Sequence, residues 1–320
     1  MTWLSWRQQR TETLITAGLL ALLGVAFIPS GIHMADLFAQ QHIGRCVNRQ
    51  TDACSFIIGN YANSGGFIRS LLTGGWLNLI PGLIGVALAV PLLLDLENGT
   101  VRLAWTQSIT RRRWIATKGS LAIGTVLAAG AGFSVLFTWY QQPFDRIWGH
   151  WDEFGFEGIV PLAYMLFAIG LALGIGVLWR RTAAAMVVAF GAYVAARLFV
   201  QNWLRQRLVT PLSATWGPHA SGPSISHAWV ITEGPSDRAG HLFSDNSNVI
   251  QLCARASGTG PKGGRGLDPA CMARHGAGFT HLVYQPASRY WEIQSLEFAL
   301  FGGIALVLLA FATWRLLRAD

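Results

Sequence analysis

Few residues in this 320-residue chain have the types and spacings from which chemistry is built, and the first are its cysteines and histidines. His42 with Cys46, and Cys271 with His275, stand four apart, the spacing that sets two metal ligands on one face of a helix. Neither pair is accompanied by a His-rich tract or an H-E-x-x-H helix, and cysteines outside the cytosol favour disulfides, so no metal site is expected. Cys46, Cys54, Cys253 and Cys271 allow three pairings. Short loops close more readily than long ones, so Cys46 is expected to bond Cys54, and Cys253 to bond Cys271.

Nucleotide and nucleophile chemistry fail at the same level. A phosphate cradle of the form G-x-x-x-x-G-K-[ST] is absent, and the run Pro261-Lys262-Gly263-Gly264 lacks its spacing. Ser134 lies in an apolar segment with no His or Asp nearby in sequence that would activate it. No catalytic residue is identified, and no cofactor is expected in this chain. Arg197 and Glu297 remain, each a charge inside a long apolar segment, where a bilayer tolerates ionised groups only for function or when paired. They are expected at matched depths near the outer face; either both snorkel independently to the headgroups, or Glu297 pairs with Arg197 or faces a hydrated outer vestibule.

The elements that position these residues can be read from composition. With 52% hydrophobic and only 12% charged residues, the chain reads as an all-α polytopic membrane protein, and a soluble domain is excluded. Its net charge of +8 sits largely beside apolar segments, which is a topology signal and not a nucleic-acid face.

About six transmembrane helices are expected, each of about 20 residues. Residues 1–12 place Trp3, Trp6, Arg7 and Arg10 on one face of a helix suited to the cytosolic membrane interface. A first span over Leu14 to Ile28 is retained, not cleaved, since no A-x-A site comes after it. An outer loop then runs from Pro29 to Gly75. Trp76 to Leu94 returns inward, kinked by Pro81 and Pro91; Gly119 to Tyr140 goes out, and the acidic loop Gln141 to Gly158 suits the outer side. Ile159 to Leu178 comes in, with Gly170 and Gly174 in a GxxxG spacing that serves internal packing or a dimer face alike. Thr182 to Val200 goes out, completing residues 13–200. An extracytoplasmic region, 201–292, holds strand-like runs at Ile225 to Thr232, Asn248 to Ala254 and Phe279 to Tyr284. The last span, 293–314, precedes a cytosolic tail, 315–320, so both termini lie in the cytoplasm of a multi-pass cell-membrane protein.

Between the second and third spans lies the densest positive charge, loop 95–118, in which Arg102, Arg111, Arg112, Arg113 and Lys118 outweigh Asp95 and Glu97. Short loops rich in Lys and Arg stay in the cytosol. Asn98-Gly99 signals a turn, and Val101 to Gln107 suits a short amphipathic helix. Arginines here also bind anionic lipid headgroups, about 1 kcal/mol per residue near the surface.

The order Leu96-Glu97-Asn98-Gly99-Thr100, Leu103-Ala104-Trp105-Thr106-Gln107-Ser108 and Arg111-Arg112-Arg113-Trp114 closely resembles the first cytoplasmic loop of ABC-2-type permeases, the membrane subunits of ABC transporters, and most of all their actinobacterial members. Tyr284-Gln285-Pro286-Ala287-Ser288-Arg289-Tyr290-Trp291 and the N-terminal segment are similar to them as well. The resemblance implies that Glu97, Gly99, Thr100, Trp105, Arg111, Arg112, Arg113 and Trp114 dock a separate ATPase subunit, which binds ATP and Mg. It also implies a homodimer of permeases and export of a substrate. The large region before the last span departs from compact members, so substrate type does not transfer. A membrane sensor or accessory protein with a ligand-binding outer region is the alternative, and an intramembrane enzyme comes after it.

Overall fold

A computed structural model describes residues 2–47, 49, 51–73, 75–99, 110–218, 220–244, 247–256 and 268–318, with the side chains of 2–9, 12, 72–73 and 254–256 also outside the description. Thr100, Trp105, the helix expected over Val101 to Gln107 and the Gly-rich run after Ser257 therefore lie outside the described residues, as do the side chains of Trp3, Trp6 and Arg7. The chain divides into two units, Met1–Leu208 with Trp291–Asp320, and Val209–Tyr290.

Among the described residues, six helical segments are long and apolar enough to cross a membrane: Thr13–Gln40, Trp76–Glu97, Arg111–Trp148, Val160–Trp179, Thr182–Leu208 and Ala287–Arg318. Several outrun their expected limits. Helix α1, Thr2–Gln40, is unbroken from the residues expected as a separate interfacial helix, and it passes through Pro29 where an outer loop was expected. A proline inside a helix forfeits one hydrogen bond. Burial of Phe27 and Met34 on either side outweighs that loss and carries the helix a further three turns. The rest of the expected outer loop is largely helical too, with α2 over Asp52–Ser64 and α3 over Gly66–Thr73. Cys46 and Cys54 are bonded just before and within α2.

The second span is two helices, α4 over Ile80–Ala87 and α5 over Val90–Glu97, each with its proline in the first turn, where no intrahelical donor is missed. Leu88 and Ala89 between them are fully buried, and their N–H groups still find Ile84 O at 3.0 Å and Val86 O at 3.1 Å. The third span is α6, Arg111–Trp148, and the fourth is α7, Val160–Trp179. Helix α8, Thr182–Phe199, does not end at Val200; a π-helical turn, Val200–Leu204, joins it to α9, Arg205–Leu208.

Helix α7 is the centre, packed by α4, α6 and α8, and 61% of its apolar stretch is buried against 22% in the first and last spans. Small residues permit this enclosure. A methyl on Gly85 would meet Met165 O at 2.5 Å. One on Gly170 would come within 3.3 Å of Ala305 O in α12, Tyr290–Arg318, so the GxxxG face is filled by the chain's own last helix.

The second unit contains a three-stranded antiparallel sheet with β3, Phe279–Gln285, between β1, Leu212–Trp216, and β2, Trp229–Ser236. The strand expected over Asn248 to Ala254 is instead helix α10, Asn248–Ala256. Ile250 and Cys253, three apart, are buried against Cys271 and Met272 of α11, Pro269–Arg274, a period that only a helix satisfies. Ser247 caps it, its hydroxyl accepting from Ile250 N at 3.3 Å. Cys253 and Cys271 are bonded across this small core.

Candidate functional site

At one end of the bundle, residues at the two ends of loop 95–118 are tied to other spans. Helix α5 stops at Asn98 and Gly99, whose φ of +68° is the left-handed conformation that ends helices. Thr110 restarts the chain as the N-cap of α6, accepting from Arg113 N at 3.4 Å. Asp95 and Lys118 form a mostly buried ion pair between the second and third spans. Glu97 reaches the fifth span, its Oε2 accepting from Thr182 N at 2.9 Å. The first N–H groups of a helix have no internal partner and carry the positive end of its dipole, so a carboxylate suits this position. Arg111 Nη1 donates to Leu317 O at 3.5 Å near the end of the last span.

Arg112 and Arg113 are exposed, whereas Trp114 is 5% exposed, and Lys118 lies over its ring at 5.4 Å. Trp114, which the resemblance assigns to docking, thus points inward, with Lys118 four residues on along the same buried face of α6. Three arginines at the positive end of a helix dipole are unfavourable for the helix itself.

At the opposite end, Arg197 and Glu297 come together as the spacing along their spans suggests, Nη1 to Oε1 at 3.3 Å, with 4% and 0% exposure. Independent snorkelling is ruled out by this burial. The depth expected for Arg197 changes, since its helix continues to Leu208. Arg197 Nη2 also donates to Asn78 Oδ1 at 3.0 Å, and its guanidinium stacks 3.6 Å from the centre of the Tyr164 ring. With Trp76, Asn78 and Tyr193 it lines a cavity of about 260 Å³.

Arg205 was not anticipated, and it is the better partner. Its Nε donates to Glu297 Oε2 at 2.8 Å and its Nη2 to Oε1 at 3.0 Å, the two-pronged geometry that guanidinium and carboxylate prefer. Tyr164 donates a short hydrogen bond to the same Oε1. The π turn makes this possible. Eight residues of regular helix would leave Arg205 about 80° round from Arg197, and one residue absorbed by the wider turn reduces this to about 20°. Arg205 N bonds back to Val200 O, five residues earlier, as that turn requires. The signal in the sequence was the apolar Val200, Trp203 and Leu204 continuing beyond the expected end of the span.

A family model described as ABC-2 membrane transporter related matches residues 17–205, more than half of the chain. Searches of curated proteins and of solved structures find no match. The matched residues run from the first span to Arg205, enclosing the loop base and all but the last span of the buried cluster; the chain belongs to the ABC-2 membrane transporter related family and is a multi-pass permease component without an ATPase motif of its own.

Proposed function

We propose that this permease is the membrane subunit of an ATP-driven exporter, working as a homodimer with a separate cytosolic ATPase that binds ATP and Mg, and with both its own termini in the cytosol. The ATPase docks on the segment 97–114, with Arg112 and Arg113 as exposed contacts, Thr100 and Trp105 supplied by the part of the loop outside the described residues, and Gly99, Trp114 and Arg111 shaping its base. The arginines also meet anionic lipid headgroups when the ATPase is absent.

One observation carries the reading: Glu97, at the start of the docking segment, caps the helix that begins at Thr182. Movement of the loop is thereby handed to the span that carries Arg197 and Arg205, and through them to Glu297 on the last span. A rigid helix between two polar contacts is a physical route for coupling. The test is copurification and ATP hydrolysis with Arg111, Arg112 and Arg113 replaced by Ala, membrane orientation being checked by cysteine labelling. Loss of the ATPase or of substrate-stimulated hydrolysis in a correctly oriented variant is expected; unchanged values overturn the reading.

A further inference from the structure

Asp145, His150 and Glu157 lie where the third span gives way to the loop leading to the fourth, at the end of the bundle away from Thr110. They are spaced five and seven apart, a pattern with no metal motif in it, yet the chain folds back so that one ligand atom from each falls within 4.8 Å of the others. His150 Nδ1 is 3.0 Å from Asp145 Oδ2 and 3.1 Å from Glu157 Oε2. Both carboxylates therefore converge on a single ring nitrogen, which can donate one proton to one of them. The side chains of Asp145 and Glu157 are 8% and 2% exposed, and that of His150 is 47% exposed. Asp145 Oδ2 is buried and, although 3.0 Å from His150 Nδ1, makes no hydrogen bond of acceptable geometry.

We propose that Asp145, His150 and Glu157 form a binding site for a divalent transition-metal ion of the zinc class. Two enclosed carboxylates with one imidazole between them repel each other, and a doubly charged cation balances both. One nitrogen and two oxygens are a donor set that zinc accepts, with a fourth position left for water on the side where His150 meets solvent. Metal bonds of roughly 2.0–2.2 Å in a tetrahedron put neighbouring ligand atoms about 3.3–3.6 Å apart. The observed 3.0 and 3.1 Å to His150 need an outward shift of a few tenths of an ångström, and the two carboxylate oxygens lie within 4.8 Å of each other. Calcium and magnesium want six or more oxygens, and a soft copper(I) ion wants thiolates, so neither kind suits this set.

The loop that holds the ligands is also held from the last span. Gln294 Nε2 donates to Phe154 O at 3.1 Å and Glu157 O at 3.2 Å, and its Oε1 accepts from Ile159 N and Val160 N, each at 3.3 Å. Gln294 is one turn from Glu297 on the same helix. Metal at this site would fix the third and fourth spans to each other beside the charged cluster.

The experiment uses the full-length protein in detergent, stripped with a chelator and titrated with Zn²⁺ by calorimetry, with elemental analysis after gel filtration and thermal unfolding as a second readout. One Zn²⁺ per chain and a raised Tm are expected, with Ca²⁺ and Mg²⁺ at the same concentration unable to compete. His150→Ala, at a half-exposed position, and Asp145→Asn, which keeps the side-chain shape, should each weaken binding at least about tenfold. Absence of zinc binding by the wild type overturns the proposal. So does equal binding by wild type and both variants, which would place the ion on other histidines.

Discussion

Arg205 grips Glu297 with two hydrogen bonds, at 2.8 and 3.0 Å, while Arg197 reaches the same carboxylate with one at 3.3 Å. Removing Glu297 leaves both arginines uncompensated, at a cost of about 3–5 kcal/mol, whereas removing Arg205 forfeits two charge-assisted hydrogen bonds and leaves Arg197 on the carboxylate. Arg205→Ala and Glu297→Ala should both lower the Tm of the purified permease sharply, and Arg197→Ala should lower it less. Thermal unfolding in detergent checks the order. An Arg205→Ala variant as stable as wild type would show that Arg197 alone can hold the carboxylate.

Because Glu97 caps the helix starting at Thr182, its loss should free that first turn and little else. Glu97→Ala is expected to speed amide exchange at Thr182 to Ala184, with exchange in the middle of α8 unchanged. Glu97→Gln keeps an acceptor oxygen and should fall between the two. Hydrogen exchange read by mass spectrometry decides this, and uniform protection in all three proteins would remove Glu97 from the coupling route.

The two disulfides close short loops in separate units, Cys46 with Cys54 and Cys253 with Cys271. Each restricts the unfolded chain and contributes about 2–4 kcal/mol to its own unit. Paired Cys253→Ala and Cys271→Ala should loosen the small core around Ile250 and Met272 and leave the spans folded. Limited proteolysis would then cut within 248–276 while the helical content by circular dichroism stays constant.

Glu153 gives the stability a pH slope. Burial, with Asp152 adding to it and Arg69 opposing, pushes its carboxyl up from 4.5 to about 7. The folded chain therefore holds a proton that the unfolded chain has released between these values, so this contribution is full below pH 4.5 and is lost as pH rises through 7. In chelator, the Tm of wild type should fall across this window more steeply than that of Glu153→Gln. Parallel curves would mean that Glu153 is charged in the folded protein throughout.

The six spans were legible because about 20 apolar residues have few other uses, and the disulfide pairing was legible because loop closure depends on separation along the chain. Their ends were not. Pro29, and the polar Gln201 and Asn202, read as stops, yet each helix continues because packing further along outweighs one lost bond or two polar side chains. Arg197 with Glu297 could be paired by counting residues along two spans; Arg205 could not, since a single π turn rotates it onto the shared face. The Asp145, His150 and Glu157 cluster depends on how the loop 149–159 folds back, which no local spacing records.

Counted as ionised, Arg197, Arg205 and Glu297 leave one positive charge enclosed among helices. Moving one elementary charge across a whole membrane is worth about 2.3 kcal/mol per 100 mV, so a tenth of that path is worth about 0.2 kcal/mol. Any transport step that shifts this cluster along the membrane normal is therefore opposed by the membrane voltage in one direction and assisted by it in the other. Rates measured in vesicles held at zero potential and in an energised cell should differ for that step, and imposing a potential on the vesicles should restore the cellular value.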